Sequence, residues 1–270
     1  MLLYRTANGP VMEQDGSLLE LSDTWESLLT REDLPEYLAT AQGVALSGPI
    51  LPLSPCTTQE VWAAGVTYFR SRTARMEESK DAGGGSFYDR VYSAERPEIF
   101  FKASPHRVAA HGGTMHLRRD SKWMVPEPEM TLVISPGGRL IGTTVGNDLS
   151  CRDIEGENPL YLPQAKCFRT SAALGPCIRV SAEPLPPEAT IRLVIKRSGT
   201  PAFEGETTLA QLKRTPQELI EFLYRDNDFP QGAFLMTGTG IVPPDDFTLH
   251  LGDEVNITIS GIGTLTNVMA

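Results

Sequence analysis

Two glutamates separated by one residue, in Pro126-Glu127-Pro128-Glu129-Met130, stand directly before the apolar run Thr131-Leu132-Val133-Ile134. In a strand, side chains two apart share a face and lie about 7 Å from each other. Like charges so placed repel unless something positive sits between them, and a hard divalent cation resolves the repulsion through carboxylate oxygens. The commoner reading of such a pair is two solvent-facing acids at the start of an edge strand. A third carboxylate weighs toward the cation. In Val145-Gly146-Asn147-Asp148 an apolar strand ends in a short polar turn, which places Asp148 as a further ligand. Three carboxylates leave an octahedral Mg2+ or Mn2+ with positions open to water or a bidentate substrate, which suits catalysis better than a closed cage. The four histidines, His106, His111, His116 and His250, form no HxxxH pair, so zinc is disfavoured. His111 and His116 read as loop residues.

Downstream, residues 153–166 mix polar and apolar groups densely and suit an active-site wall. Lys166 is placed to neutralise a substrate carboxylate, or to exchange protons if burial and a nearby cation lower its pKa. An exposed, solubilising lysine is its commoner fate. Met236-Thr237-Gly238-Thr239-Gly240 is a glycine-flanked turn in which Thr237 or Thr239 and backbone N–H groups would hold a substrate carboxylate. It lacks the lysine and the spacing of a P-loop.

The elements that must position these residues are mostly strands. Short β-rich runs recur at 99–102, 130–134, 140–145, 190–196, 234–237 and 255–260, many bounded by Gly or Pro. Thr215-Pro216-Gln217-Glu218 opens a helix with a capping box, and Leu219, Ile220 and Leu223 give that helix an apolar face for packing on the sheet. A polar turn at Asp15-Gly16, a helix over 33–42 and a proline-rich linker at 48–55 mark residues 1–55 as a small N-terminal α+β subdomain, with the main domain spanning 56–270. A charged helix over 69–80, followed by Asp81-Ala82-Gly83-Gly84-Gly85-Ser86, reads equally as a closing lid or as a solvated helix and loop.

Composition bounds the function. Apolar residues at 40% and charged residues at 21% are ordinary globular usage, which excludes coiled coil and collagen. A net charge of -10 argues against a nucleic-acid partner, and it requires a local positive centre if the substrate is an anion. Cys56, Cys151, Cys167 and Cys177 form no CxxC pair and read as reduced thiols. No apolar run approaches the ~20 residues of a membrane span or forms a signal peptide at Met1 to Pro10, so the expectation is a cytoplasmic enzyme without a membrane partner.

In this order, Ala64-Gly65-Val66-Thr67-Tyr68, Arg96-Pro97-Glu98-Ile99-Phe100-Phe101-Lys102, the Glu127/Glu129 pair, Asn147-Asp148, Lys166 and Thr237-Gly238-Thr239 resemble the fumarylacetoacetate hydrolase superfamily over residues 57–270. Two longer runs, 92–102 and 154–166, are similar to its 2-keto-3-deoxy sugar acid dehydratases. The resemblance implies an α+β fold with a mixed β-roll main domain of the fumarylacetoacetase C-terminal type. It also implies a metal on Glu127, Glu129 and Asp148 (Mg2+, with Mn2+ or Ca2+ as alternatives), Lys166 beside a small 2-oxo acid substrate, and a homo-oligomer. One departure selects the subtype. Hydrolases of the superfamily usually carry His three residues after the motif tyrosine and Glu three further on, and here those positions are Ser71 and Ala74. Neither is a base at neutral pH, although Glu77 or Glu78 could stand in.

The expected reaction is therefore metal-dependent loss of water from a 2-keto-3-deoxypentonate to give 2-oxoglutarate semialdehyde. Lys166 and Glu98 are the candidates for the proton transfers, and Arg70, Ser71, Arg72, Lys166, Thr237 and Thr239 are the candidate substrate contacts. The alternatives are a hydrolase or decarboxylase of acylpyruvates or oxaloacetate, and a non-catalytic protein that binds 2-oxo acids.

Overall fold

The structure, a computed structural model, describes residues 1–70 and 85–270, the side chains of 85–88 excepted. In chain order its main elements are β1 (Leu2–Thr6), β2 (Gly9–Gln14), β3 (Ser17–Glu20), α1 (Trp25–Leu29), α2 (Leu34–Thr40), β4 (Val44–Leu46), β5 (Glu60–Gly65), α3 (Gly85–Ser93) and β6 (Glu98–Ala103). There follow β7 (Pro128–Ile134), β8 (Leu140–Asp148), α4 (Arg152–Glu157), α5 (Leu162–Lys166), β9 (Ala172–Val180), β10 (Thr190–Arg197) and β11 (Thr200–Thr208). The chain ends with α6 (Pro216–Tyr224), β12 (Ala233–Met236), β13 (Glu254–Ile259) and β14 (Gly263–Met269). All six strands expected between residues 99 and 260 are present, each within a few residues of its expected ends.

Ten of these strands form a mixed sheet in the order β4-β3-β2-β1-β9-β8-β7-β12-β5-β6, and an eleventh, Val108–Ala109, pairs with β9. A second sheet runs β11-β10-β13-β14 and closes on Thr114–Met115. β7 lies inside the large sheet, between β8 and β12, and all seven of its residues are buried. A strand covered on both faces needs apolar residues at successive positions, which is why 130–134 reads as a continuous apolar run and not as an alternation. Met130, Leu132 and Ile134 face the core shared with the second sheet, where Leu193, Ile195, Ile257 and Leu265 meet them. Val133 faces the opposite core, with Phe234, Ile141 and Ile178.

The turn at Asp15-Gly16 has positive φ at both residues, 51° and 77°, and joins β2 to β3 with Gln14 opposite Ser17. Two such residues match the right-handed twist of a hairpin, and Asp followed by Gly tolerates that conformation. β1 then pairs with β9, Leu3 opposite Ile178, so the N-terminal strands continue the large sheet. Leu3, Met12, Leu28 and Leu34 share one core with Ile178 and Phe234. The proline-rich stretch at 48–55 is tied back to the N-terminal strands and helices: Leu53 N–H donates to Arg5 O (2.8 Å), and the Trp25 indole donates to Pro55 O (2.8 Å). α6 starts where its capping box requires, with the Thr215 hydroxyl accepting from Glu218 N–H, and it buries Leu219, Ile220 and Leu223.

Candidate active site

Strand register builds the acidic cluster. Pro128 pairs with Asn147 and Glu129 with Gly146, and one step further Asp148 N–H donates to Glu127 O (3.0 Å). Asp148 thus stands directly across from Glu127, and Glu129 is two residues along on the same face, so three carboxylates converge. One oxygen of each lies within 4.8 Å of the others, and all three side chains are buried. A central strand pair holds them, so the reading of Glu127 and Glu129 as solvent-facing acids on an edge strand does not apply.

The ladder continues beyond Asp148. Ser150–Cys151 pairs with Met124–Val125, which returns Ser150 to the face of Asp148. Lys166, the last residue of α5, is 1% exposed and donates to Glu127 Oε2 (2.5 Å), Asp148 Oδ2 (3.2 Å) and Ser150 Oγ (2.6 Å). The structure corrects its reading as an exposed lysine: its ammonium is buried with all three N–H groups engaged. β6 adds a second cation. Glu98, Phe100 and Lys102 alternate on one face of β6. Lys102 is fully buried against Asp148 Oδ1 (2.5 Å) and donates to the carbonyls of Leu149 (3.0 Å) and Lys166 (2.6 Å). From α4, Arg152 reaches Glu127 Oε1 (2.6 Å).

The wall opposite comes from two loops that lock together. After β12 the Thr237 hydroxyl donates to Met130 O (2.8 Å), and the Thr67 hydroxyl donates to Thr237 O (2.6 Å). These bonds aim the Gly238 N–H at Glu129 Oε2 (2.5 Å). Glycine is required there: its φ is +91°, and a Cβ would fall 1.9 Å from Thr67 Oγ1.

Burial pushes the Glu129 carboxyl well above the usual carboxylate range, and the charges of Asp148 and Glu127 push it further. Lys166 and the Gly238 N–H oppose that shift without cancelling it. Burial likewise lowers Lys102, against the pull of Asp148. Glu127 and Asp148 are thus each paired with cationic side chains, while Glu129, among the described residues, receives a backbone N–H and no cationic hydrogen bond.

The pocket over the carboxylates is floored by Glu127, Glu129, Asp148 and Lys166. Its sides are Ala64, Gly65, Val66, Phe100, Gly238 and Thr239. Phe100 stands 5.7 Å from the Lys166 ammonium. Glu98 lies beside this lining: its carboxylate covers Gly65, so close that a Cβ added there would meet Glu98 Oε2 at 2.0 Å.

Of the residues singled out from sequence, Glu127, Glu129, Asp148, Lys166 and Thr239 share this pocket, with Glu98 at its side. Thr237 does not line it: the hydroxyl expected to hold substrate is spent on Met130 O, and the residue serves by shaping the turn. The Arg70 side chain is exposed, and Ser71, Arg72, Ala74, Glu77 and Glu78 lie outside the described residues, as does most of the expected lid helix. Lys102, Arg152, Ser150 and Phe100 were not assigned roles from sequence. The alternation Glu98-x-Phe100-x-Lys102 was the available signal for two of them, since it puts a lysine on the same strand face as an acid.

Residues 61–270 match the family model described as fumarylacetoacetate (FAA) hydrolase, C-terminal. A Haloferax volcanii protein named "Probable 2-keto-3-deoxyxylonate dehydratase" is 46% identical over 215 residues, covering 79% of this chain and 73% of the relative. The 2-dehydro-3-deoxy-D-arabinonate dehydratase of Saccharolobus solfataricus is 45% identical over 213 residues, 78% of this chain and 72% of that one. A solved structure of 2-keto-3-deoxy-D-arabinonate dehydratase complexed with magnesium and 2,5-dioxopentanoate superposes with a TM-score of 0.86 at 34% identity, covering 100% of this chain and 98% of the other. With a matched fold, the same mixed-sheet architecture and the family model spanning most of its length, the chain belongs to the fumarylacetoacetate hydrolase family.

Proposed function

We propose that the protein is a hydro-lyase that removes water from a 2-keto-3-deoxypentonate to give 2,5-dioxopentanoate, with Mg2+ held by Glu127, Glu129 and Asp148. The observation that carries this reading is 45–46% identity over nearly four fifths of the chain to two proteins named as dehydratases of such acids.

The acidic residues fit the metal. Their donor set is all carboxylate oxygen, which hard cations prefer, and Glu129 is a buried carboxyl that has no cationic hydrogen-bond partner among the described residues. When bound, Mg2+ supplies Lewis acidity toward the carbonyl of a 2-oxo acid. The residues around it handle the protons. The Lys166 ammonium has three N–H groups and no lone pair, so in this state it gives a proton and cannot take one. An ionised Glu98 carboxylate accepts only. We therefore assign Glu98 to remove a proton from C3 and Lys166 to protonate the hydroxyl that leaves C4. The C3–C4 bond becomes double as water departs, and the C5 hydroxyl becomes an aldehyde by proton shifts that lose no further atoms. Phe100 and the buried strand pair keep bulk water off Lys166, which favours elimination over hydrolysis. Thr239 is assigned to the substrate carboxylate, and Arg70, Ser71 and Arg72 to its far end. The assembly is taken to be a homo-oligomer, and a single-chain mass by light scattering would refute that.

The test mixes chelator-stripped protein with 2-keto-3-deoxypentonate of each C4 configuration, with and without Mg2+, and follows 2,5-dioxopentanoate and pyruvate separately. Dioxopentanoate formed only with metal is the expected result. Pyruvate as the product, or consumption of acylpyruvate or oxaloacetate in place of the sugar acid, would overturn it.

A further inference from the structure

Glu98 opens β6, where the sheet gives its backbone little support. β6 is an edge strand: it pairs with β5 and, among the described residues, with no strand on its other side. Gly65 opposite Glu98 is the last pair of that ladder, and Pro97 has no N–H with which to extend it. Strand ends so placed open readily. The proton transfer assigned to Glu98 nevertheless needs its carboxylate held to within about 1 Å.

The missing support comes from Arg214, which is buried at 6% exposure. Its guanidinium donates to Val91 O (3.1 Å), Ala94 O (2.5 Å) and Glu95 O (3.0 Å), with Glu218 Oε1 (2.5 Å) as its counter-charge. Val91 lies in the last turn of α3, where carbonyls find no partner within the helix and a cation is favoured. Lys213 adds to this end by donating to Tyr92 O, with its ammonium 4.1 Å from the centre of the Tyr92 ring. The chain is thus pinned as far as Glu95, with only Arg96 and Pro97 left before Glu98. The same segment is fastened to the other strand of the pair. Lys213 N–H donates to Thr67 O (2.9 Å), and Leu212 forms an antiparallel bridge with Tyr68, just beyond the end of β5. Residues 212–214 therefore span the open end of the β5–β6 pair, their backbone on the chain leaving β5 and their side chains on the chain entering β6.

We propose that Arg214 is a positioning residue for Glu98, which it serves by closing the open end of the β5–β6 pair. It acts through the backbone that precedes Glu98 and is not among the residues lining the pocket. The proposal rests on the assignment of Glu98 above and adds what keeps that carboxylate in place.

The experiment measures turnover of 2-keto-3-deoxypentonate with Mg2+, and Mg2+ affinity by calorimetry, in the unaltered chain, Arg214→Met, Arg214→Lys, Glu98→Gln and the double variant Arg214→Met/Glu98→Gln. Arg214→Met should lower kcat roughly ten- to a hundredfold, with KM and the Mg2+ dissociation constant within about twofold of the unaltered protein. Arg214→Lys keeps a cation on the carbonyls at the end of α3 and should recover much of kcat. In the Glu98→Gln background Arg214→Met should cost nothing more, because the carboxylate that it positions is gone. A loss through poorer folding would instead lower activity by the same factor in both backgrounds. If Arg214→Met does not fold, Arg214→Gln, which keeps one donor group, takes its place in the cycle. Undiminished kcat in the folded Arg214 variant, or equal factors in the two backgrounds, overturns the proposal. Undiminished kcat in Glu98→Gln would instead overturn the assignment of Glu98 itself.

Discussion

Gly65→Ala is a sharp test of the proton-transfer assignment, because it disturbs Glu98 without removing it. A Cβ at Gly65 would sit 2.0 Å from Glu98 Oε2 and 2.6 Å from its Cδ, with the remaining close contact, 3.3 Å, also to that side chain. No backbone atom is among these nearest contacts, and Gly65 is not among the residues with positive φ, so alanine fits the strand. Restoring an ordinary contact of 3.4 Å needs the carboxylate oxygen to retreat by about 1.4 Å. A misplacement of roughly 1 Å at a reacting group costs about a hundredfold in rate, near 2.7 kcal/mol of barrier. The expected result is a kcat for dioxopentanoate formation about two orders of magnitude lower, with Mg2+ affinity unchanged. Stability should move by less than about 1 kcal/mol, since the gain from a stiffer unfolded chain offsets the rotation of one partly exposed side chain. Glu98→Gln should lose at least as much activity, and the double variant should be no worse than Glu98→Gln alone. Undiminished turnover in Gly65→Ala would remove Glu98 from the chemistry. Additive losses in the double variant would show that Gly65 acts by another route.

Two further outcomes follow from burial and capping. Burial raises the Glu129 carboxyl in the folded metal-free protein, so the unfolded chain gives up that proton at lower pH, and the folded state loses stability as pH rises through the raised value. Glu129→Gln removes that penalty: in chelator it should melt above the unaltered protein at pH 8, by roughly 2–4 °C for each kcal/mol relieved, and the gap should close toward pH 5. A gap that stays constant with pH would contradict the assignment. Thr215→Ala loses the bond to Glu218 N–H that starts α6 and should cost about 1 kcal/mol in urea unfolding with kcat intact; a fall in kcat would mean that α6 reaches the site.

What could be read before the fold was known follows from how local each determinant is. The Glu127/Glu129 pair is legible because strand periodicity alone puts both on one face, and Asp148 because an apolar strand ends beside it. The Thr215 cap is encoded within four residues, and the Asp15-Gly16 turn within two. The residues that were missed depend on register. Lys102 meets Asp148 across 46 positions of sequence, and Arg152 meets Glu127 because Asp148 lies opposite Glu127 and the chain then turns into α4. The placement of Thr237 depends on register in the same way. A hydroxyl in a glycine-flanked turn looks available until the pairing of β7 with β12 puts Met130 O beside it. A lysine in an apolar strand, as in Glu98-Ile99-Phe100-Phe101-Lys102, is costly to bury, and nothing local offsets the cost. Its presence there already demands an acid from elsewhere in the chain. Pairing such a cation with a carboxylate that ends another buried strand would have brought Lys102 to Asp148, and so to the site, from the sequence alone.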